Sequence, residues 1–196
     1  VWAEENSRSA IFDAIRKRET YATSGPRISL RFFGGDDLPA GLCDDDARIA
    51  TATESGVPMG SSLGSTSTFF VEATADRTPL QQVQIIKGWI DADGDTHQEV
   101  HTIAGDAENG AGVEFDSCEP TGSGTDQLCT VWTDPSPIEN GFYYARVLEN
   151  PPCRWSTWDA VREGVPPRSD FPKTIQERAW SSPTWIEPTD EGAATS

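Results

Sequence analysis

A single helix-then-strand unit opens the chain, and no later segment repeats it. In VWAEENSRSAIFDAIRKRETYATSG the run from Ser7 to Arg18 consists of good helix formers, with Ile11, Phe12 and Ile15 on one face and Arg8, Arg16, Lys17 and Arg18 around the rest. Asn6 or Ser7 can cap its free amides. Val1-Trp2-Ala3 reads as the end of a strand, and Tyr21 to Ser24 as an extended exit. A parallel sheet needs several such units to bury both faces, so one unit cannot found an α/β domain. It is expected to be the last element of a domain that the chain otherwise lacks, which makes the chain the C-terminal piece of a larger protein.

Beyond residue 25 the hydrophobic period is two. Arg27 to Phe32 alternates, an Asp/Gly-rich loop runs to about Ala50, and Ser65 to Ala75 reads as a strand. Val83 to Asp91 and Thr96 to Ile103 flank Ala92-Asp93-Gly94-Asp95, a hairpin turn. Glu114 to Asp116, Leu128 to Thr133, Phe142 to Leu148 and Arg178 to Ile186 complete the strands. Short strands with Gly/Pro turns predict a mainly β fold, an antiparallel immunoglobulin-like β-sandwich over residues 27–188 preceded by one α-helix. The last two strands are expected to pair in one sheet, with Trp180 and Trp185 on opposite faces unless Pro183 breaks the strand. Between them residues 149–176 form a Pro/Trp-rich excursion, expected to be ordered and packed by its tryptophans. Residues 189–196 read as a flexible tail.

Thirty-two acidic residues against fifteen basic ones give a net charge of −17. Such a surface repels nucleic-acid phosphates and anionic membranes, and no apolar run approaches the roughly 20 residues that span a bilayer. Cys43, Cys118, Cys129 and Cys153 sit in or beside loops without metal-finger spacing. An even count in loops predicts two disulfides and a periplasmic or secreted protein. Of the three connectivities the preferred one joins Cys118 to Cys129 across EPTGSGTDQL, leaving Cys43 for Cys153.

Asp91-Ala92-Asp93-Gly94-Asp95 has the carboxylate density of a calcium loop but the wrong register, so a plain acidic turn is favoured, as is a solvated run for Asp44-Asp45-Asp46. His97 and His101 would lie about 13 Å apart on one strand face, too far to share an ion. Gly60-Ser61-Ser62-Leu63-Gly64 matches a serine-nucleophile pattern without the strand and helix that pattern needs. Trp155 and Trp158 are the candidates for an aromatic binding surface. Glu4, Glu5 and Asn6, in the loop before the helix, are candidate substrate-proximal residues, together with Arg27. For Glu4 and Glu5 the competing reading is simple attraction to the helix N-terminus.

AEENSRSAIFDAIRKRETYATSGPRI, GVPMGSSL, PLQQVQIIKGWIDADGDTHQEVH, FYYARVLENPPCRWSTWDA and IQERAWSSPTWIEP together resemble the C-terminal third of a bacterial family of unknown function. That family is similar to the PHP (polymerase and histidinol phosphatase) metal-dependent phosphoesterases. The resemblance implies a distorted (β/α) barrel holding divalent metals on His, Asp and Glu, followed by a closing β-sandwich. Residues 1–26 are then the remnant of that barrel, the missing barrel is the partner, and this chain alone carries neither catalytic residues nor a cofactor. Two readings follow: an accessory sandwich of a metal-dependent hydrolase, inactive by itself, or a secreted binding module for a glycan or a protein partner.

Overall fold

The computed structural model describes residues 1–187, so the predicted tail at 189–196 lies outside the described residues. Among the described residues three α-helices, α1 (Arg8–Arg16), α2 (Arg48–Ser55) and α3 (Trp155–Glu163), accompany thirteen strands. The first seven strands are β1 (Tyr21–Thr23), β2 (Ser29–Gly34), β3 (Val57–Pro58), β4 (Ser62–Leu63), β5 (Thr68–Thr74), β6 (Leu80–Ile90) and β7 (Thr96–Gly105). The remainder are β8 (Gly112–Glu114), β9 (Glu119–Thr121), β10 (Gln127–Thr133), β11 (Gly141–Glu149), β12 (Arg178–Ser181) and β13 (Thr184–Ile186).

Two sheets face each other across one core. In the larger, β11 is central: β6 and then β7 lie on one side, while β12 and β13 share the other and lead to β1 and β4. The smaller has the order β10-β5-β2-β3, and β8-β9 is a separate hairpin. All pairings are antiparallel except β13 with β4. Leu30, Phe32, Phe69 and Val71 of the smaller sheet meet Val83, Ile85, Tyr143 and Val147 of the larger, all buried. These are every-second residues on their strands, the periodicity read from the sequence.

The smaller sheet is buried on both faces. Its outer side contributes Phe33 and Phe70 to a second cluster with Leu38, Leu42 and Ala52, so α2 and the 3-10 turn Leu42–Asp44 form a third layer. Here the sequence reading predicted only a loop. Asp45 makes the helix: its carboxylate accepts the Ala47 amide at 2.8 Å and the Thr51 hydroxyl at 2.6 Å, satisfying groups that a Thr-rich segment would otherwise leave open. Arg48 then reaches Glu72 on β5 and ties the helix to the sheet.

The disulfides are Cys43–Cys129 and Cys118–Cys153, which corrects the expected pairing. Cys129 lies opposite Glu72 on the outer face of the smaller sheet, toward the layer that holds Cys43. Cys118 sits instead in the turn of the β8-β9 hairpin, beside the start of the excursion. The sequence spacing that made 118 and 129 look like neighbours ignored this opposition of directions.

β12 and β13 both pair with β11, as expected for the last two segments. Pro183 interrupts them, and across the break Trp180 and Trp185 fall on the same face, opposite Arg146 and Phe142 respectively. The excursion carries α3, ended by Gly164 in the left-handed region at φ 67°. It is not packed by its tryptophans: Trp155 is 75% exposed and Trp158 is 38% exposed.

Candidate functional site

Ser7, not Asn6, caps α1, its hydroxyl accepting the Ala10 amide at 3.3 Å. Val1-Trp2-Ala3 does not form a strand; the Trp2 amide donates to the Glu19 carbonyl at 2.9 Å, so this segment closes against the exit of the helix. The Trp2 indole is pinned three ways. Its Nε1 donates to the Leu30 carbonyl at 2.8 Å, its ring stacks on Tyr21 at 5.7 Å, and the Arg31 guanidinium lies 3.3 Å over it. Burial pulls Arg31 below its ordinary range, with Glu72 opposing, and burial pushes the Tyr21 phenol up.

Around this pin lie two adjoining depressions. One, of about 400 Å³, is walled by residues including Glu4, Lys17, Glu19, Arg31, Thr53 and Met59. The other, of about 330 Å³, adds Glu5, Ser9 and Asp13. Of the residues singled out in the sequence, Glu4 belongs to both walls and Glu5 to one. Asn6 and Arg27 stand in neither wall. The Arg27 backbone amide instead donates to Asp76 at 2.9 Å, at the start of β2. The cleft thus combines four carboxylates (Glu4, Glu5, Asp13 and Glu19), the Lys17 ammonium and the Arg31 guanidinium around a half-buried aromatic, a set suited to gripping a charged group or seating a neighbouring surface.

A second polar assembly was missed. Lys87 occupies an inward register position on β6 between Ile85 and Trp89, is 2% exposed, and reaches Glu99 at 2.9 Å and Asp134 at 3.1 Å. Asp134 also accepts the Tyr143 hydroxyl at 2.8 Å and the Ser136 amide at 2.9 Å. Burial alone would raise the Asp134 carboxyl, but these donors outweigh it and hold it below the usual range. Burial likewise raises the Tyr143 phenol. The signal was available: a lysine in phase with Val83 and Ile85 is an inward charge, and an inward charge requires a partner. Every member is satisfied, so the assembly locks β6, β7 and β11 together rather than presenting a reactive group.

His97 and His101 are sheet residues on β7, as read. His97 stacks on Trp89 and bonds Asp91 at 2.6 Å, whereas His101 lies against Trp132 and bonds Glu99 at 3.2 Å. Asp91 accepts the Asp93 and Asp95 amides, which makes the acidic run a hairpin turn. Ser62 lies in the short strand β4, without a following helix. Among the described residues no three His, Cys, Asp or Glu side chains converge where a metal could sit, so the divalent metal implied by the resemblance has no ligand set among them. Trp155 does line a depression of about 320 Å³ with Arg154, Asp159, Arg168 and Phe171, but Trp158 is not part of it.

Fold and cleft define a mainly β protein, and its two disulfides indicate an oxidising environment, extracellular or periplasmic. Among the described residues no helix is long and apolar enough to cross a membrane. Residues 1–188 match the family described as Protein of unknown function (DUF3604), and the chain belongs to it. No curated protein and no solved structure shows a match.

Proposed function

We propose that this chain is the C-terminal accessory domain of a metal-dependent hydrolase of PHP phosphoesterase type, an immunoglobulin-like sandwich that buttresses a (β/α) barrel and has no catalysis of its own. The observation that carries this reading is the unpartnered face of α1. Phe12 is 56% exposed and Ile15 is 53% exposed, while the only buried residue of the helix is Ala14. An amphipathic helix that turns its large apolar side chains to water lacks its packing partner. A barrel preceding it in the same polypeptide would supply that partner and would bring Glu4 and Glu5 toward its C-terminal rim, where barrel chemistry lies. The work of the assembly would then be divided, with metal and reacting atoms on the barrel and rigidity on the sheets.

The test compares this chain with the polypeptide extended upstream of Val1, using a generic phosphodiester and added manganese. Chelator-sensitive turnover is expected only in the extended form, and amides from Phe12 to Ile15 should gain hydrogen-exchange protection there. Turnover by the chain alone, abolished by chelator and retained after rigorous repurification, would refute the assignment. Equal exchange of α1 in both forms would refute the buttress.

A further inference from the structure

The outer face of the larger sheet differs from the rest of the surface. The smaller sheet covers its outer face with α2, but the larger one leaves Phe142, Tyr144, Trp180 and Trp185 on a face with no helix over it among the described residues. These four, with Ser181 and Pro183, wall a shallow depression of about 360 Å³. The platform is fixed by packing. Phe142 lies so close over Gly88 that a Cβ there would collide with its ring, and it meets Trp185 edge-on at 5.5 Å and Tyr144 stacked at 6.3 Å.

A polar ladder runs beside the rings. Arg146 donates from Nε and Nη2 to the side-chain Oε1 of Gln84 at 2.8 and 2.6 Å, the Thr102 hydroxyl donates to the side-chain Oε1 of Gln82 at 3.2 Å, and Arg178 follows in phase two residues before Trp180. The Arg178 Nε is shielded from water and has no hydrogen-bond partner among the described residues. By strand alternation and register, the outward positions of β6, β7, β11 and β12 hold Gln, Thr, aromatic, aliphatic and Arg residues and no carboxylate. In a chain with 32 acids and 15 bases, a face whose only formal charges are two guanidiniums is set apart by charge as well as by aromaticity.

The geometry points to an anionic glycan as the ligand of this face, a polymer bearing uronate carboxylates or sulfates. Aromatic rings fixed on a flat sheet take the C–H faces of pyranose rings, and Gln84 and Thr102 offer donors and acceptors to hydroxyls. Gln84 already takes Arg146 Nε and Nη2 and the Arg178 Nε is shielded from water, so the remaining terminal guanidinium nitrogens of the two arginines are the charged donors left for carboxylate or sulfate. Elsewhere the acidic surface repels a polyanion, which fixes the register of binding to this face. This inference does not rest on the hydrolase reading, since the elements involved are not those of α1.

Affinity electrophoresis of the 196-residue chain in gels containing polygalacturonate, chondroitin sulfate or neutral dextran tests it. Retardation is expected in one or both anionic gels and not in dextran, relieved by salt, and accompanied by a change in tryptophan fluorescence on titration. Trp185→Ala, at a residue 39% exposed, should weaken binding about tenfold or more while leaving the thermal melt near wild type. Arg146→Gln should remove the preference for the charged polymers. No retardation in either anionic gel, equal retardation in dextran, or retardation unaffected by both variants would overturn the proposal. Self-association that Trp185→Ala abolishes, without polymer binding, would overturn it in favour of a protein interface.

Discussion

Phe69, Phe70 and Val71 follow one another on β5 and are all fully buried, because the smaller sheet has a layer on each face. In the excursion, α3 buries only Thr157 and Ala160 of its nine residues, and Trp155, Val165 and Phe171 are exposed. Apolar burial holds the first region, so its order is a property of the whole domain. The second is held at discrete points: Cys153 to Cys118, the Thr157 hydroxyl to the Lys173 carbonyl at 2.8 Å, the Arg154 guanidinium to the Pro172 carbonyl at 3.0 Å, and the Lys173 ammonium over Phe115. Removing a packed ring should therefore unfold the molecule, whereas removing a tether should release a segment.

The largest effect is expected at Phe69, whose ring lies 4.4 Å from that of Tyr143 and 5.6 Å from that of Phe32. Phe69→Ala should cost about 3–5 kcal/mol and shift far-UV dichroism and tryptophan fluorescence together in urea. Trp155→Ala, on the excursion, should change stability by less than about 0.5 kcal/mol. Comparable losses in the two variants would erase the distinction between the regions.

Cutting the tether comes next. The Cys118–Cys153 bridge closes a separation of 35 residues, worth about 2–4 kcal/mol to the segments it joins. In a Cys118→Ser/Cys153→Ser variant, limited proteolysis should cut within residues 106–124 and 150–176 before any cut in β5, β6 or β11. The Cys43–Cys129 bridge spans 86 residues and anchors the α2 layer, so its loss should lower the melting temperature of the sheets themselves. Simultaneous cleavage of sheets and excursion in the first variant would show that they unfold as one unit.

The same contrast separates what was legible in the sequence from what was not. Strands β2, β5, β6, β7, β10 and β11 were legible as short apolar and β-branched runs between turn signals, with alternation clear from Arg27 to Phe32, whereas on β5, buried on both faces, the continuous run Phe69-Phe70-Val71 replaces alternation. The pairing of the last two segments with β11 followed from the same alternation. α2 escaped notice because its signal is not periodic apolarity but one side chain, Asp45, satisfying Ala47 and Thr51. α3 left a stop signal at Gly164, but a run with few buried positions has little pattern to read. Disulfide pairing depends on which way Cys129 points, a property of tertiary register that spacing does not contain. Glu4 and Glu5, singled out from their place before a helix, line the walls of the cleft. Lys17, Glu19 and Arg31 join them only because Trp2 folds back on the helix exit.

The smallest effect sits at the seam. Glu149 ends β11, and the next residue, Asn150, bonds Asn109 and Ser123 of the β8-β9 region. Glu149 is 2% exposed, and its Oε2 has no hydrogen-bond partner among the described residues. Burial first, and then the nearby Glu177 and Asp76 carboxylates, push its carboxyl up to about 7. The unfolded chain releases this proton near the ordinary glutamate value of 4.5, so between about 4.5 and 7 the folded state holds a proton that the unfolded state has lost. Stability from this group is therefore present below about 4.5 and is lost as the pH rises through about 7. Glu149→Gln keeps the shape and removes the charge. It should be more stable than the wild type by on the order of 1–3 kcal/mol at pH 8 and nearly equal to it at pH 4.5. Urea midpoints measured across that range should converge for the two proteins as the pH falls, independently of the repulsion that the many surface acids contribute equally to both. Parallel profiles would mean that the seam carboxylate is already charged and accommodated, and that the excursion meets the sheets across a wetter boundary than the packing of Glu149 indicates.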